Sequence, residues 1–458
     1  MNTPKKTMSI GLSIRYLGYH AAGWRHPAAD PGGSTRFRHF ATVARLAEES
    51  CFDMLFLADG IGVRVTDTPP GALAQSSQVA DFEPLTLLSA LSAVTERIGL
   101  VATASTTYNE PFHIARKYAS LDRISGGRAG WNIVTSWSDA EARNFGRDRH
   151  LDYDTRYDRA LEFAEVVKGL WDSWSADALV GDKEGARFLD PAGLHVLNHE
   201  GPHFRVRGPL DVPRSPQGRP IMVQAGASDA GIELAGRNAE VIYALPRSLA
   251  EARAYSEKLR VAMERHGRRR EDLRILAGVT LFVGRTEEEA RARYDAMRAL
   301  IPPELGLSYL YAQLGDLSGY PLDGPVPEPK DPMVKSIARA LVDQAHRENM
   351  TIRDLYSLIA SGFGSHVLIG TPERIVDTME EWFSCGAVDG FNLCPALLPL
   401  SLQEFTEMIL PELRRRGLFR THYEGTTLRE HLRLPLPASR YGDPVVPTVV
   451  PTVAEPMS

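Results

Sequence analysis

The fold class is decided by residues 98–134, which read IGLVATASTTYNEPFHIARKYASLDRISGGRAGWNIV. This stretch begins with an apolar run at Ile98–Thr103, continues with a helical pattern over Pro111–Ile124 and ends with a second apolar run at Ala129–Val134. Short unbroken apolar runs are typical of strands that are covered on both faces. Proline is favoured at the first position of a helix, because its missing N–H would have no partner there. The stretch therefore predicts a strand–helix–strand unit in a parallel sheet.

The same alternation continues in both directions and gives eight strand–helix units. The predicted strands lie at Ser9–Ile14, Met54–Ala58, Ile98–Thr103, Ala129–Val134, Pro220–Gln224, Val241–Leu245, Arg274–Val283 and Phe391–Cys394. The predicted helices lie at Phe37–Ser50, Glu83–Thr95, Pro111–Ile124, Tyr157–Trp171, Ser228–Arg237, Leu249–Arg265, Glu287–Leu300 and Leu402–Arg416. Eight units favour an α/β fold of the closed (β/α)8 TIM-barrel type with insertions. An open doubly wound sheet is the alternative.

Two segments do not fit the repeat. Residues 173–219 contain glycine and proline turns and predict an insertion with a hairpin around His203–Val206. Residues 302–365 contain the Pro/Gly-rich piece PLDGPVPEPKDP, followed by a helical pattern near Val334–His346. Long excursions between barrel elements are usually lids or binding loops, and the second excursion is our candidate lid.

The domain organisation follows from these patterns. We expect a single barrel domain over residues 1–434 that carries both insertions. The Pro- and Val-rich residues 435–458 have little periodicity and predict an extended or disordered C-terminal arm.

The composition is that of an ordinary soluble protein. The 458 residues are 43% hydrophobic, which is enough apolar sequence to bury a large core and excludes a wholly disordered chain. The net charge of −6 disfavours a general nucleic-acid binder, which would carry a basic stripe. No apolar run reaches the length of a membrane span, and the short, interrupted apolar run near the N-terminus does not match a signal peptide. We therefore expect a cytoplasmic protein without a membrane or nucleic-acid partner.

Polar residues follow several predicted strands, at the ends where a barrel carries its active site. These segments are Asp59-Gly60, Thr103–Tyr108, Trp131–Trp137 and Gln224–Ser228. They are rich in hydroxyls and amides, and they hold one aspartate and no histidine. A metal-dependent hydrolase would need several histidines and carboxylates there, so we expect no metal. Hydroxyls, amides and backbone N–H groups suit a polar heteroaromatic cofactor with a phosphate tail.

The turn Gly226-Ala227-Ser228 leads into a predicted helix. Its N–H groups and the serine hydroxyl would suit a phosphate at the positive end of the helix dipole. Ser228 is equally consistent with a plain N-cap, and the turn alone leaves both interpretations open.

Five stretches of the chain resemble a known family. They are FLADG at 56–60, ATASTTYNEPFHIARKYASLDRISGGRAGWNIVTS at 102–136, RYDRALEF at 156–163, QAGASDAG at 224–231 and DGFNL at 389–393. Over about residues 8–425 the chain resembles the bacterial-luciferase-like flavin monooxygenases. The branch is that of nitrilotriacetate monooxygenase component A, dibenzothiophene-sulfone monooxygenase and long-chain alkane monooxygenase.

This resemblance implies a two-component, FMN-dependent monooxygenase. A separate NAD(P)H:flavin reductase would supply reduced FMN, and O₂ would be the co-substrate. A C4a-(hydro)peroxyflavin would then oxygenate a small organic substrate. The chain has no GxGxxG fingerprint between a predicted strand and a predicted helix, so it gives no sign of its own NAD-binding domain. Relatives are commonly homodimers or homotetramers, which implies a homo-oligomer here.

The resemblance also implies flavin contacts. The family's flavin-contacting positions fall on Asp59, Thr103, Tyr157 and Ser228, and each matches in residue type. Asn132, in the WNIVTS motif, is a further cofactor-binding candidate. Tyr153 stands where the family commonly has a histidine; a tyrosine can donate a hydrogen bond but carries no positive charge at neutral pH.

The catalytic residues are not assigned by the sequence. Trp137 stands where the alkane-oxidising relative has a histidine, and His20 follows the first predicted strand. Both are candidates for the substrate pocket by location alone.

The alternatives to the main hypothesis are an F420-dependent oxidoreductase on the same barrel and a non-catalytic flavin-binding protein. The identity of the substrate is not predicted.

Overall fold

Eight parallel strands form a closed barrel in the computed structural model, which describes residues 6–329 and 335–442. In chain order the strands are β1 Ser9–Ser13, β2 Met54–Leu57, β3 Gly99–Ser105, β4 Ala129–Val134, β5 Ile221–Gln224, β6 Val241–Ala244, β7 Arg274–Val283 and β8 Gly390–Leu393. Each strand pairs with the next, and β8 pairs with β1 to close the ring. The predicted (β/α)8 barrel is confirmed, and the open sheet is excluded.

Helices cover the outside of the barrel close to their predicted positions. They are Phe37–Glu49, Pro84–Ser92, Pro111–Ile124, Tyr153–Trp171, Asp229–Asn238, Leu249–Arg265, Glu287–Ala299, Leu400–Glu404 and Leu410–Arg415. The helix predicted to begin at Tyr157 begins one turn earlier, because Asp152 caps it by accepting a hydrogen bond from the Thr155 N–H. The last long helix is interrupted by a π-helical turn at Phe405–Ile409, just before Pro411, which has no N–H to donate.

The strand His366–Gly370 lies outside the barrel and was not predicted. His366–Gly370 pairs with the last five residues of β7, Val279–Val283, while the earlier residues Leu276–Val279 pair with β8. The helix Pro372–Ser384 then leads into β8. β7 is therefore long enough to pair both with β8 in the barrel and with this outer strand.

The two insertions differ in how they pack: Phe204 and Leu210 of the first belong to the main core of the barrel. Residues 173–219 hold the hairpin Leu179–Asp182 with Arg187–Leu189, and the strands His199–Glu200 and Arg205–Val206 form the hairpin predicted in this region.

Residues 302–365 hold the helices Pro303–Leu314, Lys335–Arg347 and Ile352–Gly362. The helix predicted near Val334–His346 corresponds to the second of these. We call this second insertion, residues 302–365, the excursion. Its apolar side chains form a core of their own, which includes Ala21 and Ala22 from the segment after β1.

The described start of the predicted C-terminal arm packs against the barrel and the first insertion. Arg214 donates a hydrogen bond to the Pro437 carbonyl at 3.0 Å, and the Tyr441 ring stacks on His195 with centroids 4.1 Å apart. Residues 443–458, the rest of that prediction, lie outside the described residues.

The short helix Leu428–His431 closes the amino-terminal end of the barrel. Leu428, Leu432 and Leu434 pack among the inward-facing side chains of the strands, such as Met54 and Val101. This end is therefore filled with apolar side chains, and a ligand site in the barrel lies at the carboxyl ends of the strands.

A buried ion pair holds this short helix in place. Arg429 is 1% exposed, and its guanidinium donates to both carboxylate oxygens of Glu240, at 2.6 and 3.3 Å. Its Nε also donates to the Gln217 carbonyl at 2.8 Å.

We predict that Arg429→Met lowers the free energy of unfolding by about 3–5 kcal/mol, because it leaves the Glu240 carboxylate buried without its partner. Urea unfolding measured by far-UV circular dichroism checks this. The double variant Arg429→Met, Glu240→Gln is the control, since it removes the charge as well and should recover part of the loss. Equal losses in the two variants would contradict an ion-pair origin.

His20 lies beneath the excursion and is 2% exposed. Its Nδ1 accepts a hydrogen bond from the Ala22 N–H at 3.2 Å, and its Nε2 is buried without a partner among the described residues. Burial lowers the pKa of His20 to about 3, so the ring is neutral at physiological pH.

We predict that His20 contributes to acid destabilisation. Its pKa is lower in the folded chain than in the unfolded chain, so its stabilising contribution is complete above pH ~6.5 and is lost as the pH falls towards 3. The loss between pH 6.5 and 5 is about 2 kcal/mol. His20→Asn keeps an acceptor for Ala22 but does not titrate, so its unfolding free energy should fall less over this range. Parallel pH slopes for the two proteins in urea titrations would refute this assignment.

Candidate active site

Thr103 and Asn132 lie side by side at the carboxyl ends of β3 and β4, paired in the sheet. The Thr103 hydroxyl donates to the Leu57 carbonyl at 2.7 Å and accepts from the Asn132 amide at 2.9 Å. The Asn132 Oδ1 is buried and has no hydrogen-bond partner among the described residues. A buried acceptor without a partner is costly, so this atom suits an N–H donor of a ligand.

Asp59 follows β2 in a partly buried position. Burial raises the pKa of this carboxyl, and the nearby Arg15 lowers it in part. Arg15 follows β1, and its Nε lies 3.4 Å from Asp81 Oδ2. Burial raises the pKa of Asp81 to about 6 despite that contact. The β1 and β2 side of the mouth therefore holds one guanidinium between two carboxyl groups.

Ser228 begins the helix Asp229–Asn238 at the end of β5. Its hydroxyl accepts a hydrogen bond from the Gly231 N–H at 3.2 Å, so it caps the helix. The Tyr157 hydroxyl lies 3.3 Å from the same oxygen, which brings two predicted cofactor contacts together. Tyr153 lies beside Tyr157, with ring centroids 4.9 Å apart.

Arg156 is a residue of this group that the sequence analysis missed. Its guanidinium lies 5.2 Å from the Tyr153 ring and 5.5 Å from the Tyr157 ring. It donates to the Ser136 carbonyl at 3.0 Å, and its buried Nε has no partner among the described residues. Arg156 thus supplies the positive charge that Tyr153 lacks. Its place in the RYDRALEF motif, next to Tyr157, was the available signal.

The turn before Ser228 is held tightly. The Gln224 amide donates to the Gly231 carbonyl at 3.0 Å, and the Tyr255 hydroxyl donates to the Gly226 carbonyl at 2.6 Å. A Cβ atom on Gly226 would lie 3.0 Å from the Gln224 amide nitrogen and 3.2 Å from the Gly231 Cα, so a larger residue would require these neighbours to shift by a few tenths of an ångström. The turn therefore presents the helix N-terminus in a fixed orientation.

A cavity of about 320 Å³ adjoins this turn. It is lined mainly by apolar atoms from the ends of β5 and β6 and the helix beside them, including Ala225, Ala227, Tyr243, Leu245 and Tyr255. The mouth thus combines a cluster of hydrogen-bond donors (Ser228, Tyr157 and Arg156), an apolar cavity and buried polar atoms.

The two pocket candidates, Trp137 and His20, form no hydrogen bond with Ser228, Tyr157 or Arg156 among the described residues. Trp137 is 69% exposed, and its backbone N–H donates to the Glu141 carboxylate at 3.3 Å. His20 is buried against Ala22 and the Ala396 carbonyl. A catalytic role for either residue stays a prediction.

The closely spaced histidines of the first insertion have separate partners. His199 bonds the Glu162 carboxylate at 2.9 Å, and His195 contacts the Ser175 hydroxyl at 3.2 Å. Within the described residues no group of three or more His, Cys, Asp or Glu is arranged to hold a metal ion.

In the same part of the chain, no helix has the length and apolar character needed to span a membrane.

Comparisons with known proteins place the chain in a family. The model of the luciferase-like monooxygenase family matches residues 19–389. The chain is 46% identical to the N-acetyl-S-(2-succino)cysteine monooxygenase of Bacillus subtilis (strain 168), over 96% of this chain and 100% of the relative. It is 45% identical to nitrilotriacetate monooxygenase component A of Aminobacter aminovorans, over 96% of this chain and 99% of the relative.

A solved structure agrees with these relatives. The structure of a riboflavin lyase (RcaE) with modified FMN and riboflavin superposes with a TM-score of 0.81 at 31% identity, and it covers 93% of this chain and 96% of its own. The resemblance inferred from the sequence motifs is confirmed. The barrel, the matching family model and the high identity over nearly the whole chain together show that this protein belongs to the luciferase-like monooxygenase family and is a monooxygenase.

Proposed function

We propose that this chain is the oxygenating component of a two-component monooxygenase. It takes reduced FMN from a separate NAD(P)H:flavin reductase and uses O₂ to oxygenate a small organic substrate. The observation that carries the proposal is the anion-binding group at the end of β5, where Ser228 and Tyr157 meet at a helix N-terminus beside Arg156.

The FMN phosphate suits this group. The free N–H groups of the helix Asp229–Asn238, the Ser228 and Tyr157 hydroxyls and the Arg156 charge are the donors that phosphate oxygens prefer. The unpartnered Nε of Arg156 adds a buried donor.

The flavin ring system suits the neighbouring strand ends. Its ring carries N–H groups, and Asn132 offers a buried acceptor without a partner at the end of β4. Thr103 holds the Asn132 amide in place, and Asp59 lies at the end of β2 on the same side of the barrel. These are the residues at which the sequence motifs imply flavin contacts, and their polar atoms at neighbouring strand ends support the proposal.

The protein's own contribution is binding, orientation and exclusion of water. Bound reduced FMN would supply the oxygen activation, so the chain itself needs no strong acid–base pair. The excursion and the segment after β1 both contact the loop after β2: Tyr309 of the excursion donates to the Gln78 side chain at 2.7 Å, and Trp24 of the segment donates to the Gln75 carbonyl at 2.9 Å. Exclusion of water protects the activated oxygen from loss as hydrogen peroxide.

A separate reductase is the partner that this chemistry requires. The nitrilotriacetate-oxidising relative is named as a component A, which supports a two-protein system. The substrates named for the two relatives, N-acetyl-S-(2-succino)cysteine and nitrilotriacetate, are the first compounds to test.

Ser228→Ala tests the phosphate site. We expect FMN affinity to fall about fivefold or more, because a hydrogen bond to a charged group contributes ~1 kcal/mol or more. Anaerobic fluorescence titration gives the dissociation constant. Ser248 caps the next helix, Leu249–Arg265, in the same manner, so Ser248→Ala is the matched control. Both variants should lose about 1 kcal/mol of stability, but only Ser228→Ala should lose flavin affinity. Unchanged flavin affinity would reduce Ser228 to a helix cap.

The reaction itself is tested by anaerobic titration with photoreduced FMN, followed by stopped-flow mixing with oxygenated buffer. We expect bound reduced flavin and a transient absorbance distinct from that of oxidised FMN, which decays faster when a substrate is present. Tight binding without the transient would favour the F420-dependent or non-catalytic alternative. Absence of binding would refute the FMN assignment.

A further inference from the structure

Arg15 occupies a place in the barrel mouth that the flavin assignment does not explain. It follows β1, whereas the anion-binding group at Ser228 follows β5, on the far side of the ring of eight strands. Its side chain is 17% exposed, so the guanidinium is largely withdrawn from water. A cation in such a place needs an anionic or aromatic partner.

The protein fixes the orientation of this guanidinium from two sides. Its Nε faces Asp81 Oδ2 at 3.4 Å, and its carbon lies 4.6 Å from the centre of the Tyr16 ring. The Asp81 contact uses the Nε, and the Tyr16 side chain also forms a hydrogen bond with the guanidinium. The terminal nitrogens form the planar fork that binds carboxylates, and Nη2 is the one beside open space.

Open space adjoins one of these nitrogens. If Gly60 carried a Cβ atom, Arg15 Nη2 at 3.9 Å would be the one atom of the described residues within 4 Å of it, apart from Gly60 and its two chain neighbours. Gly60 follows Asp59 at the end of β2, so this space lies in the mouth of the barrel. The excursion bounds the same region, because the partly buried Tyr309 interacts electrostatically with Arg15 and Tyr16 and donates a hydrogen bond to Gln78.

We propose that Arg15 binds a carboxylate of the organic substrate through its two terminal nitrogens, which makes the substrate class an organic acid. This inference rests on the proposed function, since it assigns the substrate side of the same site. Asp81 and Tyr16 act as positioning residues that aim the guanidinium.

The charges around Arg15 can accommodate such an anion. Asp81 faces Arg15, Asp59, Tyr16 and Tyr19, and of these groups only Arg15 is a cation. Burial raises the pKa of both Asp59 and Asp81, against the lowering effect of Arg15. Asp59 and Asp81 therefore bind a proton more readily than exposed carboxyl groups do. When a substrate carboxylate binds beside Arg15, protonation of one of these two groups offsets the negative charge that the substrate adds.

The test compares acids with their neutral esters. N-acetyl-S-(2-succino)cysteine, nitrilotriacetate and the fully methylated ester of each are assayed with the intact protein, reduced FMN and O₂. For the wild-type protein we expect at least one acid to be oxygenated with a kcat/KM at least tenfold above that of its ester. Esters used as well as the acids, or failure of both acids, would overturn the proposal.

Variants then assign the effect to Arg15. Arg15→Gln should raise KM for the acid about tenfold or more, with little change in kcat, in KM for any ester that is used or in FMN affinity. Arg15→Lys should be intermediate, because lysine keeps the charge but lacks the planar fork. Gly60→Val should also raise KM for the acid, since it fills the open space without changing any charge. Arg64→Gln is the matched control, because Arg64 donates to the Thr66 and Thr68 carbonyls of its own loop.

The outcomes separate this proposal from the proposed function. Loss of FMN binding in the wild-type protein would refute the proposed function itself. Normal FMN binding and O₂ consumption with no preference for acids would overturn only the role of Arg15. If Arg15→Gln raised KM for acid and ester equally and lowered the urea midpoint, Arg15 would be a structural residue and the proposal would be wrong.

Discussion

Closure of the barrel depends on the approach of β8 to β1. A Cβ atom on Gly390 would collide with the Ser9 carbonyl oxygen, so only glycine allows these two strands to meet. The junction is completed on both sides of Gly390, because the Ser9 N–H donates to the Asp389 carbonyl at 3.0 Å and the Asn392 amide donates to the Ser13 hydroxyl at 2.7 Å. The Asp389 carboxylate also accepts from Arg270 at 2.7 Å and from the Ile275 N–H at 2.9 Å, which ties β7 to the same junction. Closure brings the carboxyl ends of the eight strands together, and the polar side chains of the mouth lie on or just after these strand ends.

The strands of the barrel could be read from the sequence because each is a short apolar run, covered on both faces. The outer strand His366–Gly370 escaped notice because only its last residue is fully buried and because it pairs beyond the limits of the barrel. The helix start at Tyr153 was missed for a local reason, since the Asp152 cap lies before the apolar periodicity begins. Contacts between distant parts of the chain, such as Arg15 with Asp81, have no sequence signature, because the two residues are 66 positions apart.

The candidate site divides into two sides with different chemistry. The β5 side presents a helix N-terminus, hydroxyls and Arg156, whereas the β1 and β2 side presents Arg15 between two carboxyl groups. The sequence motifs predicted Ser228 and Tyr157, and the structure brings these two residues within 3.3 Å of each other. The motifs named Asn132 as a candidate and contained Arg156 without singling it out, but the unpaired Asn132 Oδ1 and Arg156 Nε could not be predicted, because they depend on which atoms find partners on folding. The roles of these residues in cofactor binding stay predictions.

The sealing of the barrel by residues near the C-terminus constrains how the protein is made. The first strand lacks one of its two neighbours until Gly390 is present, and the amino-terminal end of the ring stays open until Leu428 and Arg429 are present. Chains synthesised only as far as the earlier strands therefore expose the edges of β1 and of the last strand made, and such edges pair readily with other chains. A chaperone that covers these edges during synthesis would raise the yield of folded protein and leave the activity of assembled molecules unchanged.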